Sequence, residues 1–110
     1  GTTFDRVRHS FTQSTTGIVA NGAGATLDLT TTSMSKFSLA VIRTAGVATY
    51  TVDLEGSLDG SNWFSLGTVT GAGASAIGHV VDKPVSRIRY NVTTVGAANT
   101  LTVQLLASAR

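Results

Sequence analysis

The sequence predicts an all-β fold, a single antiparallel β-sandwich domain over residues 1–110, jelly-roll-like, with roughly seven to nine strands. Three observations lead there. Apolar and polar residues alternate at period two in one segment after another, which sorts side chains onto the two faces of a strand. Gly-rich joints separate these segments at intervals of about ten residues. No segment repeats apolar residues at helical spacing.

The elements follow in order. Around Phe4 to Thr12, Asp5, Val7, His9 and Phe11 alternate with Phe4, Arg6, Arg8 and Ser10, so residues 1–12 read as an N-terminal arm or an edge strand. In "ATLDLTT", Leu27 and Leu29 oppose Asp28. In "SKFSLAVIRT", Phe37, Leu39 and Val41 share a face. In "ATYTVDLEGS", Tyr50, Val52 and Leu54 oppose Thr49, Thr51, Asp53 and Glu55. A returning strand begins at Trp63. In "SRIRYNVTT", Ile88, Tyr90 and Val92 oppose Arg87, Arg89, Asn91 and Thr93. In "NTLTVQLLAS", Leu101, Val103 and Leu105 oppose Thr102 and Gln104. The expected joints are "ANGAGA" at 20–25, "TGAGASAIG" at 70–78 and "TVGAANT" at 94–100, where glycine permits tight reversals. Pro84 precedes a strand, where its missing N–H does least harm.

Composition narrows the function classes. A chain of this length buries roughly two thirds of its unfolded surface and needs no staples. It contains no cysteine, which excludes disulfides, thiolate metal sites and cysteine nucleophiles. Charged residues make up 13% of the chain, about half the usual share of roughly 25%. Thr and Ser stand in their place, which fits either a surface covered by neighbours or an ordinary Thr-rich β protein. The net charge is only +2 and no Lys/Arg cluster builds a phosphate-tracking stripe, so no nucleic-acid partner is expected. The longest purely apolar run, Leu39 to Ile42, is too short for a membrane-spanning helix, and no membrane partner is expected.

No catalytic, metal or cofactor signature is present. His9 and His79 belong to no His-x-x-His or Glu-x-x-His motif, and no nucleophile elbow frames a serine. "GAGASAIG" fails the dinucleotide pattern, because Ala76 stands where the third glycine belongs. Asp53, Glu55 and Asp59 are carboxylates near one turn, too few to complete the oxygen shell of Ca²⁺, so they read as a solvated strand face and a turn residue. The expectation is a protein that is not an enzyme and binds no cofactor.

Asp59 and Gly60 form a strong reversal signal, with Gly60 in the left-handed region and Asp59 bonded to the backbone ahead of it. Trp63 then has two readings. It plugs the end of the core, or it stands exposed as a platform for a glycan or a protein. The scarcity of aromatics in a small core favours burial. Phe64 must then point the other way, which makes it a contact candidate. Arg87 and Arg89 share a strand face, as do Arg6 and Arg8; each pair either bonds acidic groups of a neighbouring subunit or is solvated.

"LEGSLDGSNWFSL" followed by "VSRIRYNVT" resembles a pattern of small tailed-bacteriophage virion proteins and, more loosely, the discoidin-type galactose-binding sandwich. The resemblance covers about half of the chain, from Val52 to Leu106 with a gap. The phage branch implies a capsid decoration (cement) protein on the outer surface of the virion, assembled in the bacterial cytoplasm. Its implied partners are the major capsid protein and copies of itself, as a homotrimer. The expected contacts are Phe4, Arg6 and Arg8 in the N-terminal arm, the Gly-rich loops, Asn62 and Phe64 at the hairpin tip, and Arg87 and Arg89. The second reading is a carbohydrate-binding module on a head fibre or tail appendage, with Trp63 beside Asp59 and Asn62; a tail or connector component is a third.

Overall fold

The computed structural model describes residues 10–29 and 35–108. Nine strands make up the order β1 (Ser10–Ile18), β2 (Gly22–Ala23), β3 (Leu27–Asp28), β4 (Lys36–Ala45), β5 (Tyr50–Ser57), β6 (Phe64–Gly71), β7 (Ser75–Val80), β8 (Arg87–Thr94) and β9 (Thr100–Ser108). They form two antiparallel sheets. One runs β1-β9-β4-β7; the other runs β2-β8-β5-β6, with β3 also paired to β8. Because β2 and β3 both pair with β8, they act as the two halves of one interrupted strand. Only the β5–β6 connection then turns back within its own sheet, while every other one crosses to the opposite sheet. That is the connectivity of a jelly roll, the architecture expected from the alternation.

The period-two pattern is what buries the core. Phe37, Leu39 and Val41 of β4 and Leu101, Val103 and Leu105 of β9 face Tyr50, Val52 and Leu54 of β5 and Ile88, Tyr90 and Val92 of β8. All are buried, and they form one cluster between the sheets. Burial of apolar surface at roughly 25 cal/mol per Å² is the main force holding the two layers together.

Two expectations about strands are corrected. The first described strand covers Ser10 to Ile18, so it continues past the expected end at Thr12, through "TQSTTG"; residues 4–9 of the expected strand lie outside the described ones. Its polar Thr and Ser side chains suit an edge position and leave little apolar alternation to read. The segment expected as a joint at 70–78 holds the end of β6 and the first four residues of β7. Its inward positions are Ala76, Gly78 and Val80, which are small, so the pattern is faint. Gly78 is small for a reason: a Cβ there would stand 2.8 Å from Val69 of β6.

The loops at one end are tied together by a buried amide. Asn99, 3% exposed, accepts a hydrogen bond from Ala48 N–H (3.1 Å) and donates to the carbonyls of Ala48 and Val95 (both 2.8 Å). Gly46 and Gly96, both at positive φ, bring their backbones against this side chain, where a Cβ would collide with the amide. The β4–β5 and β8–β9 loops are thereby held as a unit. Arg43 adds a second tie, donating to the carbonyls of Ala48 (3.0 Å) and Ala72 (3.1 Å).

Candidate functional site

The sandwich offers two outer faces of opposite character. The outer face of the five-stranded sheet is polar and cross-linked. Its architecture starts with the Asp59 turn. Ser57, fully buried at the end of β5, accepts hydrogen bonds from Asp59 N–H (3.2 Å) and Gly60 N–H (2.8 Å) on its hydroxyl oxygen. That hydroxyl donates to Asp59 Oδ1 (3.1 Å). Asp59 Oδ1 also accepts from Ser61 and Asn62 N–H (both 2.8 Å), and Oδ2 accepts from the Asn62 side-chain amide (2.7 Å). The backbone N–H groups of Asn62 and Ser61, then the Asn62 amide, hold the Asp59 carboxyl well below the usual carboxylate range. Gly60 takes the expected left-handed conformation, with φ +82°.

This turn curls over the sheet instead of projecting from it. Gly60 lies against Arg87, whose Nε would be 3.2 Å from a Cβ at that glycine. Trp63 comes to rest under Arg89, with the guanidinium carbon 4.1 Å from the ring centroid. Arg89 Nε donates to Glu55 Oε1 (2.8 Å), and the Asn91 amide donates to Glu55 Oε2 (3.0 Å). Beside them Thr68 donates to Asp53 (2.6 Å). The neighbours are set by register, since Glu55 pairs with Arg89 and Asp53 with Asn91 across β5 and β8.

Several sequence-based expectations change here. Trp63 is half-buried on this outer face and is not part of the core. It precedes β6, so the turn geometry directs it and strand alternation does not. The core's large aromatic positions belong to Phe37, Tyr50 and Tyr90. Arg89 has a carboxylate partner within the chain, Glu55. Arg87 is half-buried and bonds Ser86 Oγ (3.3 Å). The three carboxylates considered near the turn are separately engaged, Asp53 by Thr68, Glu55 by Arg89 and Asn91, and Asp59 by its own loop. Among the described residues no group of three or more His, Cys, Asp or Glu is placed to hold a metal ion. Phe64 is 64% exposed and Asn62 is exposed at the tip. Phe4, Arg6, Arg8 and His9 lie outside the described residues.

The outer face of the four-stranded sheet was not singled out by the sequence, and it is nearly free of charge. Register places Thr12, Leu106, Ser38 and His79 in one row across all four strands, and Ser14, Gln104, Ala40 and Ile77 in the next. Among the described residues, Lys36 at the start of β4 is the one full charge that these strands set on this face. Arg43 also lies on β4, but its guanidinium is turned into the loops. Leu106 and Ile77 are exposed, and the face forms a shallow hollow of about 550 Å³ floored by Ala40, Ile77 and Leu106. His79 Nδ1 is 2.8 Å from the Ser38 hydroxyl. The signal that reveals this face is the run of small or polar uncharged residues at the outward positions of β4 and β9, which only strand order assembles into one surface.

No family model matches the chain, and no curated protein matches it. Solved structures share the fold. The SPBc2 prophage-derived protein YomS superposes with a TM-score of 0.61 at 6% identity, over 93% of this chain and 97% of that one. The PBSX exported protein XepA gives 0.61 at 17% identity over 93% of this chain, which spans 39% of XepA. A CBM29-2 mutant made to probe ligand recognition by family 29 carbohydrate binding modules gives 0.52 at 13% identity, over 79% of this chain and 61% of that one. At these identities the likeness is one of fold.

Proposed function

We propose that this chain is a non-enzymatic virion structural protein of a tailed phage, of the capsid decoration type, which seats on the major capsid shell and stabilises it. The observation that carries this reading is the shallow outer face of the four-stranded sheet, with its rows of Thr, Ser, Gln, Ala, Ile, Leu and His79, free of Asp, Glu, Lys and Arg. A face with so little charge can be desolvated against a protein neighbour at little cost, whereas buried charges demand partners. The prophage-derived origin of YomS and the phage-type motif around the Asp59 turn support the same setting. The mechanism is mechanical. Each copy bridges adjacent shell subunits, and many modest contacts sum over the lattice.

The test is direct. Capsids lacking the chain, mixed with the purified protein, should take it up on their outer surface and withstand higher temperature before releasing their genome. Leu106→Glu, which places a carboxylate on the uncharged face, should lower uptake. Capsids that gain neither bound protein nor heat resistance would refute the reading.

A second reading rests on the other face. Trp63, Arg89, Glu55 and Asn91 form an aromatic and polar cluster on a sheet, and a carbohydrate-binding module shares the fold. A glycan stacking on Trp63 would have to displace or extend beside Arg89. Trp63 fluorescence that changes saturably with a glycan would support this reading; a flat response across a glycan panel would remove it.

A further inference from the structure

An open sheet edge is a row of unpaired backbone donors and acceptors, and soluble proteins usually blunt it with lysine, other charges or proline. The four-stranded sheet has two edges, β1 and β7, on opposite sides of the sandwich. Neither strand contains Asp, Glu, Lys, Arg or Pro. Among the described residues, the one blunting device is a bulge in β1 between Thr15 and Ile18, at Gly17 with φ +71°. It leaves residues 10–15 as a regular stretch, the same length as the six residues of β7.

We infer that β7 of one copy pairs with β1 of a second copy, so that the four-stranded sheet continues from molecule to molecule. Strand direction supports a second copy as the occupant. The sheet alternates direction across an even number of strands, β1-β9-β4-β7, all antiparallel. Repeating the molecule head to tail therefore sets β1 of the next copy antiparallel to β7, with no inversion of the molecule. One such contact pairs both edges that the described residues leave open, each copy using β7 on one side and β1 on the other. A foreign strand would cover only one. The contact is heterologous, so the copies close into a ring or extend as a filament. A six-residue edge is a small contact, so a single pairing is expected to form at high, up to millimolar, concentration, and a closed ring at lower. The inference names the self-contact within the virion structural reading, on which it rests for its setting.

The test uses two variants, Ser14→Lys on β1 and Ile77→Lys on β7, both at exposed positions. The wild-type chain should assemble beyond a monomer as concentration rises, by native mass spectrometry and light scattering. Each variant should need a concentration about tenfold higher or more, while keeping the wild-type β circular-dichroism spectrum. Should Ile77→Lys lose the fold, Ser75→Lys on the same edge replaces it. The two variants mixed in equal amounts at millimolar concentration should form a dimer of one each and stop there, because one intact β7 meets one intact β1. Wild type that stays monomeric at millimolar concentration, variants that assemble like wild type, or a mixture that yields no mixed dimer would each overturn the inference. A monomer that still protects capsids would refute this contact and leave the structural reading standing; assembly without capsid binding would do the reverse.

Discussion

Replacing Asn99 by alanine tests how far one buried amide holds the loop end of the sandwich. The substitution removes three hydrogen bonds and leaves Ala48 N–H, Ala48 C=O and Val95 C=O to find other partners. A typical internal hydrogen bond contributes about 1 kcal/mol net, and an orphaned buried group costs ~1–3 kcal/mol. The expected loss is about 3 kcal/mol, which for a domain of this size lowers Tm by roughly 12 °C. Urea unfolding followed by Trp63 emission should show a lower midpoint with an unchanged m value. Asn99→Asp sharpens the argument. A carboxylate keeps the Ala48 N–H bond but faces two carbonyl oxygens, so this variant should be less stable than Asn99→Ala at pH 7. Burial and those carbonyls raise its folded pKa above the unfolded value of about 3.9, so its deficit should shrink as pH falls through the raised value. A loss below about 1 kcal/mol for Asn99→Ala, or Asn99→Asp as stable as wild type at pH 7, would refute the reasoning.

Other outcomes follow from the same geometry. Arg89→Ala leaves Glu55, whose side chain is 14% exposed, with only Asn91; it should cost about 1–3 kcal/mol and shift Trp63 emission to longer wavelength, and an unchanged spectrum would contradict the stack. The depressed Asp59 pKa means that its turn contributes stability above the unfolded carboxyl value and loses it as pH falls towards the folded one. In Asp59→Asn the acid limb of a stability-versus-pH curve below about pH 4 should therefore flatten. Gly46→Ala meets both a positive φ and the Asn99 amide, and should cost at least about 2 kcal/mol; combined with Asn99→Ala, the total loss should fall short of the sum, as a double-mutant cycle reads directly.

The strands with strong alternation were legible because burial on one face forces the pattern into the residues. Tyr50, Val52 and Leu54, or Leu101, Val103 and Leu105, are apolar at every second position and buried as read. The continuation of β1 past Thr12 and the whole of β7 were missed because an edge strand with one neighbour needs less apolar surface, and Thr, Ser, Gly and Ala satisfy it. The Asp59–Gly60 turn was legible as local chemistry, since its hydrogen bonds stay within a few residues. Where that turn carries Trp63 was not, because the ring's position depends on Arg89, which approaches from a strand 26 residues later (89 minus 63).

Local rules thus decided the all-β class, the inward face of most strands and the left-handed glycine of the hairpin, because backbone geometry and burial act over two to four residues. Strand order, the crossing of nearly every connection and the pairing of Glu55 with Arg89 were decided by the packed sandwich alone. The uncharged outer face belongs with them. Its members, from Thr12 to Leu106, acquire meaning only when register sets distant segments side by side, and no periodicity within one segment encodes its neighbour.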